Sequence, residues 1–346
     1  MSAPLVVCVN HPPVFDEAGL RLALAQSPRA VQVHVVPFKE SLEIRRARSA
    51  GSPDAERLAG APQPDDPARA LLAEAEALLV LDLPPAILDA CPRLRFVQAF
   101  SSGIEHLPAA ALQARGVALS TAAGAGAAPI AEFALARILE VWKHLRELGS
   151  MQRERCFERP GGRVLAGCTL GVVGLGAIGS ALAVRARALG MRVVATRAHP
   201  ERGAEPGLVD EVLGPRELPQ LLGEADVVAL CVPHTRETAD LLDAAALAAM
   251  KPGAVLCNVA RGSLVDEAAL LESLEAGQLS AAILDVTREE PLPAESPLWD
   301  APNLYLSPHS ALSPEAYVGS VLELFARNLC RYAAGERPAN LVEPGA

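Results

Sequence analysis

Hydrophobic and polar positions alternate between two periods along this chain. Short apolar runs of strand type are separated by stretches with helical spacing, the signature of layered α/β folds built on parallel sheets. In the first part, strands are predicted near Leu5–Val9, Val31–Val36, Ala77–Leu81, Phe96–Ala99 and Val117–Ser120. Between Lys39 and Pro67 the sequence turns to Arg, Ser, Gly, Pro and Asp with little periodicity, which predicts a mobile surface excursion, part helix and part loop. A long helix is predicted from Pro129 to Leu148, with Ile130, Ala134, Ile138, Val141 and Leu145 as its apolar stripe, widened by Phe133, Leu139 and Trp142. So wide a stripe fits burial on more than one side, between domains or in a dimer, and fits an ordinary core helix as well. From Thr169 the alternation sharpens, with strands at Leu170–Gly174, Arg192–Ala195, Val227–Val232, Val255–Val259, Ala281–Asp285 and Leu304–Ser307. A last helical stretch, rich in Val321, Leu322, Leu324, Phe325 and Leu329, follows Pro314.

Composition narrows the class. A chain of 346 residues is too long for one ordinary core, so two domains are expected. With 51% hydrophobic and 21% charged residues the composition is globular. A net charge of −10 argues against a nucleic-acid surface, which needs a concentrated basic face. No membrane partner is expected either: the most apolar stretch, Ile130–Leu145, is broken by Glu132, Arg137, Glu140 and Lys143. The chain opens into Leu5–Val9 without a signal-like segment, and its seven cysteines include no CxxC. Cys8, Cys231 and Cys257 sit in apolar strand runs and read as core residues of a reducing compartment, so the cytoplasm is the expected location.

One motif introduces chemistry. The strand ending at Val173 runs into Gly174-Leu175-Gly176-Ala177-Ile178-Gly179 and then a helical stretch, which is GxGxxG in strand–turn–helix context. Gly174 permits the tight turn, Gly176 lets the backbone approach a pyrophosphate, and Gly179 lets helix and strand pack closely. The N–H groups of Ala177 and Ile178 then open a helix whose positive end faces the phosphates. A carboxylate that grips the ribose 2′-hydroxyl is expected at the tip of the next strand, yet Thr196-Arg197-Ala198-His199 stands there. Arg197 attracts a 2′-phosphate, so NADP(H) is favoured over NAD(H), with help from Thr196 and His199. Arg197 also fits a solvated loop residue, with NAD(H) bound through its other contacts. A dinucleotide fold starting near residue 125 leaves the preceding segment to form a second domain.

In open parallel sheets ligands sit beyond the carboxyl ends of the strands, and three polar residues fall at such ends. Arg261 follows Val255–Val259; Glu290 lies five positions after Asp285, which closes its strand; His309 follows Leu304–Ser307. Reduction of a 2-oxo acid needs a cation to clamp the carboxylate and polarise the ketone, which suits the guanidinium fork of Arg261. It needs a proton donor for the developing alkoxide, which suits His309, and a carboxylate to orient that ring, which suits Glu290. Taken singly, each residue also fits a duller role: surface salt bridge, solvated loop acid or capped loop histidine. Spacing alone does not choose.

The text around these residues resembles the D-isomer-specific 2-hydroxyacid dehydrogenases, in particular their glyoxylate/hydroxypyruvate reductase-like branch. The resemblance runs from about Ala77 to Phe325 and is strongest in Asn258-Val259-Ala260-Arg261-Gly262-Ser263-Leu264-Val265-Asp266 and in Leu284-Asp285 through Glu290-Pro291-Leu292-Pro293. It continues in Ser296-Pro297-Leu298-Trp299 and Ser307-Pro308-His309. The resemblance implies that Arg261, Glu290 and His309 are catalytic and that Asp285 holds the nicotinamide carboxamide. It implies that the backbone of Ser101, Ser102, Gly103 and Ile104 takes the substrate carboxylate. Pro233 and Thr235 would line the adenine side, and Val232, Val259 and Ala260 would complete the cofactor contacts. The implied architecture is a Rossmann-like NAD(P)-binding domain (124–310) inserted into a flavodoxin-like substrate domain (1–123 and 311–346), assembled as a homodimer. Cys156 and Phe157 stand where relatives often carry a tryptophan, so one side of the substrate pocket is expected to differ. His106 is a lesser candidate for substrate contact, while His11, His34 and His144 read as structural or exposed. Two alternatives share the scaffold: a phosphite dehydrogenase-like enzyme, which would keep all three catalytic residues, and a non-enzymatic nucleotide-sensing corepressor. Glu290 speaks against a formate enzyme, which carries glutamine there, and no metal is called for.

Overall fold

A computed structural model describes residues 3–10, 17–49, 63–312 and 314–342. The chain divides into two compact units, Met1–Ala125 with Pro314–Ala346, and Gly126–Ser313. Each is an α/β layer structure on its own parallel sheet.

The first unit carries β1 (Leu5–Asn10), α1 (Glu17–Ala23), β2 (Val31–Val35), α2 (Leu42–Ser49), α3 (Asp66–Glu74) and β3 (Ala77–Val80). It continues through α4 (Pro85–Asp89), β4 (Phe96–Ala99), α5 (Ala109–Ala114) and β5 (Ala118–Ser120). Its sheet runs β2-β1-β3-β4-β5, all parallel, the flavodoxin-type order. Strands β3 and β4 are buried along their whole length, as central strands of a sheet covered on both faces must be. Within the sequence region Lys39–Pro67, α2 is held to the end of β3 by buried Asp82, which accepts bonds from the Glu40 amide (3.1 Å) and Arg45 Nη2 (2.7 Å). Residues 50–62 of that region, and His11, lie outside the described residues.

The second unit contains α6 (Ala127–Trp142), α7 (Leu145–Glu154), β6 (Thr169–Val173), α8 (Ala177–Ala188), β7 (Arg192–Thr196) and β8 (Glu211–Leu213). Then come α9 (Leu218–Glu224), β9 (Val227–Leu230), α10 (Ala244–Ala249), β10 (Ala254–Asn258), α11 (Glu267–Glu275), β11 (Leu279–Leu284) and β12 (Leu304–Leu306). The parallel sheet runs β12-β11-β10-β9-β6-β7-β8, so the order reverses between β6 and β9. That reversal is the doubly wound arrangement and opens a crevice at the carboxyl ends of β6 and β9. Finally α12 (Pro314–Ala333) returns to the first unit, burying Val321, Leu322, Phe325 and Leu329 in the same core as Leu5, Val7 and Phe96. Among the described residues no helix is long and apolar enough to cross a membrane.

The single helix expected over Pro129–Leu148 is two helices. The Trp142 carbonyl accepts the Arg163 amide (2.8 Å) instead of continuing the ladder, Lys143 Nζ donates to the Arg163 carbonyl (2.7 Å), and His144 takes a left-handed φ of 54°. The expected stripe shifts accordingly: Ala131, Ala134, Ile138, Val141 and Trp142 are buried, whereas Leu145, past the break, is exposed. A short edge strand, β8, was not anticipated from the hydrophobic pattern.

Candidate active site

The phosphate-type turn is built as its glycines require. Gly174 has φ 101°, and a Cβ there would sit 2.6 Å from Val232 Cγ1 and 2.9 Å from the Cys231 carbonyl carbon. A Cβ at Gly179 would lie 2.2 Å from the Gly174 carbonyl oxygen, so only glycine lets α8 start this close to β6. Gly176, by contrast, faces open space and is the N-cap of α8 with no side chain capping the first amides. The Ala177 and Ile178 amides therefore open a helix end free to take an anion. These observations fit a dinucleotide pyrophosphate.

At the tip of β7, Thr196 is buried and its carbonyl accepts the Gly174 and Leu175 amides (3.1 and 2.9 Å). Arg197 Nη1 donates to the Gly203 carbonyl, which folds the guanidinium over the loop after β7. His199 pairs with Glu201 (3.2 Å). After β9 and Val232, the Pro233–Thr238 turn is closed by Thr238 Oγ1, which accepts the Thr235 amide (2.7 Å) and donates to the Pro233 carbonyl (2.8 Å).

Three loops at the ends of β10, β11 and β12 position the polar constellation. Asn258, fully buried, donates from Nδ2 to the Arg261 carbonyl (2.8 Å) and accepts the Ala260 amide (3.0 Å), fixing the Val259–Ala260–Arg261 turn. Arg261 is exposed and donates from Nη1 to the Ala260 carbonyl (2.7 Å). A Cβ at Gly262 would fall 2.0 Å from the Thr287 carbonyl carbon, so this turn lies directly on the loop that carries Glu290. Asp285, 1% exposed, accepts from Ser307 Oγ (2.7 Å), the Ser310 amide (2.9 Å) and the Ala311 amide (2.9 Å). Its carbonyl takes the His309 amide (2.7 Å), which holds His309 at a left-handed φ of 51°.

The loop thus presents His309 to Glu290: Nδ1 and Oε2 are 2.9 Å apart, and Oε1 accepts the Thr287 amide (3.2 Å). With Nδ1 engaged, Nε2 is the ring nitrogen left for proton transfer. The pair lines a cavity of about 520 Å³ together with Asp285, Thr287, Leu292, Trp299 and Ser307. Trp299 is half exposed and anchored by Nε1 to the Pro293 carbonyl (2.9 Å). Among the described residues no hydrogen bond joins Arg261 to Glu290 or His309. Burial pushes the Cys231 thiol up to about 12 and the Cys257 thiol higher still, so both are inert thiols at neutral pH.

The Ser101–Ile104 loop belongs to the first unit, at the end of β4. Ser101 Oγ donates to the Gly103 carbonyl (2.6 Å), Ser102 Oγ to the Ala122 carbonyl (3.3 Å), and the Ala122 amide to the Ser101 carbonyl (2.9 Å). The serine side chains are thereby spent on shaping the loop. His106 bonds through Nε2 to the Leu81 carbonyl (2.8 Å). Sequence reasoning missed Asn258 and Ser307 as organisers; their one signal is a polar residue at the last position of an apolar strand run.

Comparison with known proteins gives a consistent picture. Residues 135–311 match the D-isomer specific 2-hydroxyacid dehydrogenase, NAD binding domain. The chain is 32% identical over 272 residues to a glyoxylate reductase of Korarchaeum cryptofilum, covering 77% of this chain and 81% of that one. It is 38% identical over 251 residues to a D-3-phosphoglycerate dehydrogenase of Mycobacterium bovis, covering 70% of this chain but 46% of that longer protein. Among solved structures, a D-isomer specific 2-hydroxyacid dehydrogenase from Xanthobacter autotrophicus, in complex with NADPH and MES, superposes with a TM-score of 0.70 at 27% identity, over 97% of this chain and 98% of that one.

Proposed function

Since the chain belongs to the D-isomer specific 2-hydroxyacid dehydrogenase family, and is an NAD(P)-dependent oxidoreductase, we propose that it is an NADPH-preferring reductase of a small 2-oxo acid, of the glyoxylate or hydroxypyruvate kind. The observation that carries the reading is the 2.9 Å Glu290–His309 contact, which leaves Nε2 of a carboxylate-oriented imidazole at the wall of a cavity. Protonated His309 gives its Nε2 proton to the oxygen on C2 as negative charge develops there. Glu290 holds the ring in place and offsets the imidazolium charge. Arg261 is the clamp for the substrate carboxylate in the second unit, and the Ser101–Ile104 backbone is read as a carboxylate-binding loop of the first unit. Bound reduced nicotinamide supplies the hydride. Asp285 would hold the nicotinamide carboxamide with what acceptor capacity its three donors leave.

The NADPH preference rests on Arg197, which stands at the tip of β7 in place of a carboxylate. Val232, Pro233, Thr235, Val259 and Ala260 line the rest of the cofactor path in this reading. A homodimer through the second unit accounts for exposed Leu145, Leu148 and Phe157 there. The domain roles follow: 124–310 binds cofactor, and 1–123 with 311–346 binds substrate.

The test is initial-rate oxidation of NADPH and NADH against glyoxylate, hydroxypyruvate, pyruvate and bulkier 2-oxo acids, with phosphite oxidation as a control. Higher kcat/KM with NADPH and a two- or three-carbon acid is expected, and light scattering should give twice the chain mass. His309→Gln should lower kcat by about 10²–10⁴-fold with cofactor binding retained. Turnover on phosphite alone, or an unaffected kcat in that variant, overturns the reading.

A further inference from the structure

Outside this site, a cavity of about 790 Å³ lies in the first unit at the amino ends of β1 to β4. Ligands of open parallel sheets bind beyond the carboxyl ends, so this cavity sits on the edge opposite the Ser101–Ile104 loop. Its volume is within the range of small-molecule sites.

The side chains that line it sort into spent and unspent charges. Glu76 is saturated: Arg29 Nη1 and Nη2 donate to its two oxygens (2.9 Å each) and Tyr332 Oη donates to Oε1 (2.8 Å). The Arg29 bonds hold its carboxyl below the usual range. Arg93 pairs with Glu74, but both side chains are more than half exposed, and a pair of that kind is loosely held. The Arg95 guanidinium, just before β4, has neither hydrogen bond nor ion pair among the described residues, although its field reaches both Glu76 and Tyr332. Arg29 Nε is buried with no acceptor at all. The lining therefore carries three guanidinium groups against two carboxylates, with one cation and one buried donor unanswered, in a chain whose net charge is −10. Gln32 and His34, on one face of edge strand β2, add two further polar groups without partners among the described residues. The remaining walls are apolar, from Pro4, Val6, Leu71 and Pro92.

We propose that this cavity is a binding site for a small organic anion, a carboxylate or phosphate ester with a short hydrocarbon body, whose charged head meets Arg95. The exposed Arg93 can leave Glu74 to meet a second negative group, which makes a dianion the best fit. Apolar walls beside a cationic end are the general make-up of such sites: a few convergent polar groups fix orientation and the apolar area supplies affinity. The site has a bearing on the rest of the unit through two elements. Strand β4 leads from Arg95 to Phe100, and α12 carries both Tyr332, stacked on Phe96, and Tyr317, whose hydroxyl donates to the Phe100 carbonyl (2.7 Å).

The probes are succinate, glycerol phosphate and inorganic phosphate, titrated calorimetrically into the full chain, into Arg261→Ala and into Arg95→Glu. Succinate and glycerol phosphate should bind the unaltered protein and Arg261→Ala alike, and at least tenfold more weakly to Arg95→Glu. Retained NADPH oxidation and thermal midpoint in Arg95→Glu verify that this exposed substitution leaves the fold intact. Arg93→Ala should weaken the dianions severalfold. Unchanged binding to Arg95→Glu, binding lost in Arg261→Ala, or inorganic phosphate binding as tightly as the organic anions each overturns the proposal. So does the absence of binding to the unaltered protein at millimolar concentration.

Discussion

At the scale of single residues, the proposed chemistry depends on what one carboxylate does for one imidazole. Glu290 uses Oε1 to fix its own loop through the Thr287 amide and Oε2 to meet His309 Nδ1. Replacing it by Gln keeps the shape and one hydrogen bond but removes the charge that stabilises an imidazolium. Glu290→Gln should therefore lower reductive kcat by about ten- to a hundredfold, a part of the general acid–base contribution. Steady-state kcat of Glu290→Gln and of the unaltered enzyme in the reductive direction checks this, and equal values would count against the assigned role. A glycine matters at the same scale. With Thr287 backbone 2.0 Å from where a Cβ would sit on Gly262, the arginine turn and the glutamate loop are held together by the absence of a side chain.

At the scale of elements, much of the architecture can be read from periodicity, because buried parallel strands are short continuous apolar runs and the helices between them are striped. The polar residues closing those runs, Asp285 and the Arg261 and His309 that follow strand ends, stand out for the same reason. What stays hidden is non-local. The break between α6 and α7 depends on Arg163, twenty-one positions past Trp142, capturing a carbonyl. Strand β8 is three residues long with only Leu213 buried, too little for a period of two to register. Asp285 looks like a free strand-end acid in the sequence, yet its carboxylate accepts three donors from the Ser307–Ala311 loop. Helix α12 shows its apolar stripe plainly but not its polar tie: Asn328 Nδ2 donates to Gln98 Oε1 (2.8 Å) and to the Ala339 carbonyl (3.2 Å), and Oδ1 accepts the Ala339 amide (2.8 Å). This buried side chain joins the returning helix to β4. Asn328→Leu would leave those partners unpaired and should cost about 2–3 kcal/mol, seen as a lower denaturant midpoint. An unchanged midpoint would mean that water replaces the amide there.

At the scale of the whole molecule, each unit carries its own carboxylate clasp, and acid should act on both. Asp226, at the start of β9, accepts from Lys251 Nζ (2.7 Å), the Thr169 amide (2.9 Å) and Arg163 Nη2 (2.6 Å). One side chain thus gathers the entrances of β6, β9 and β10. Burial works to raise its carboxyl, but the Lys251, Thr169 and Arg163 bonds together outweigh burial and hold it below the usual range. In the first unit Glu76 is held low as well, by Arg29 first and against the opposing effect of burial. A carboxyl whose folded-state pKa is depressed contributes stability that is fully present above its unfolded value, near 4, and is lost as pH falls through the folded value. Stability should therefore be flat from neutral pH down to about pH 5 and decline below about 4. Asp226→Asn removes that contribution at the outset. At pH 7 the variant should melt several degrees below the unaltered protein, about 1–3 kcal/mol being at stake when a buried carboxylate bonded to two half-exposed cations is replaced by an amide. The gap should then narrow as pH falls below about 4, where the unfolded chain's carboxyl begins to take up a proton, while the amide does not titrate. Calorimetric melting of both proteins between pH 3 and 7 reads this directly, and a gap that stays constant with pH would show that Asp226 stabilises by shape rather than by charge.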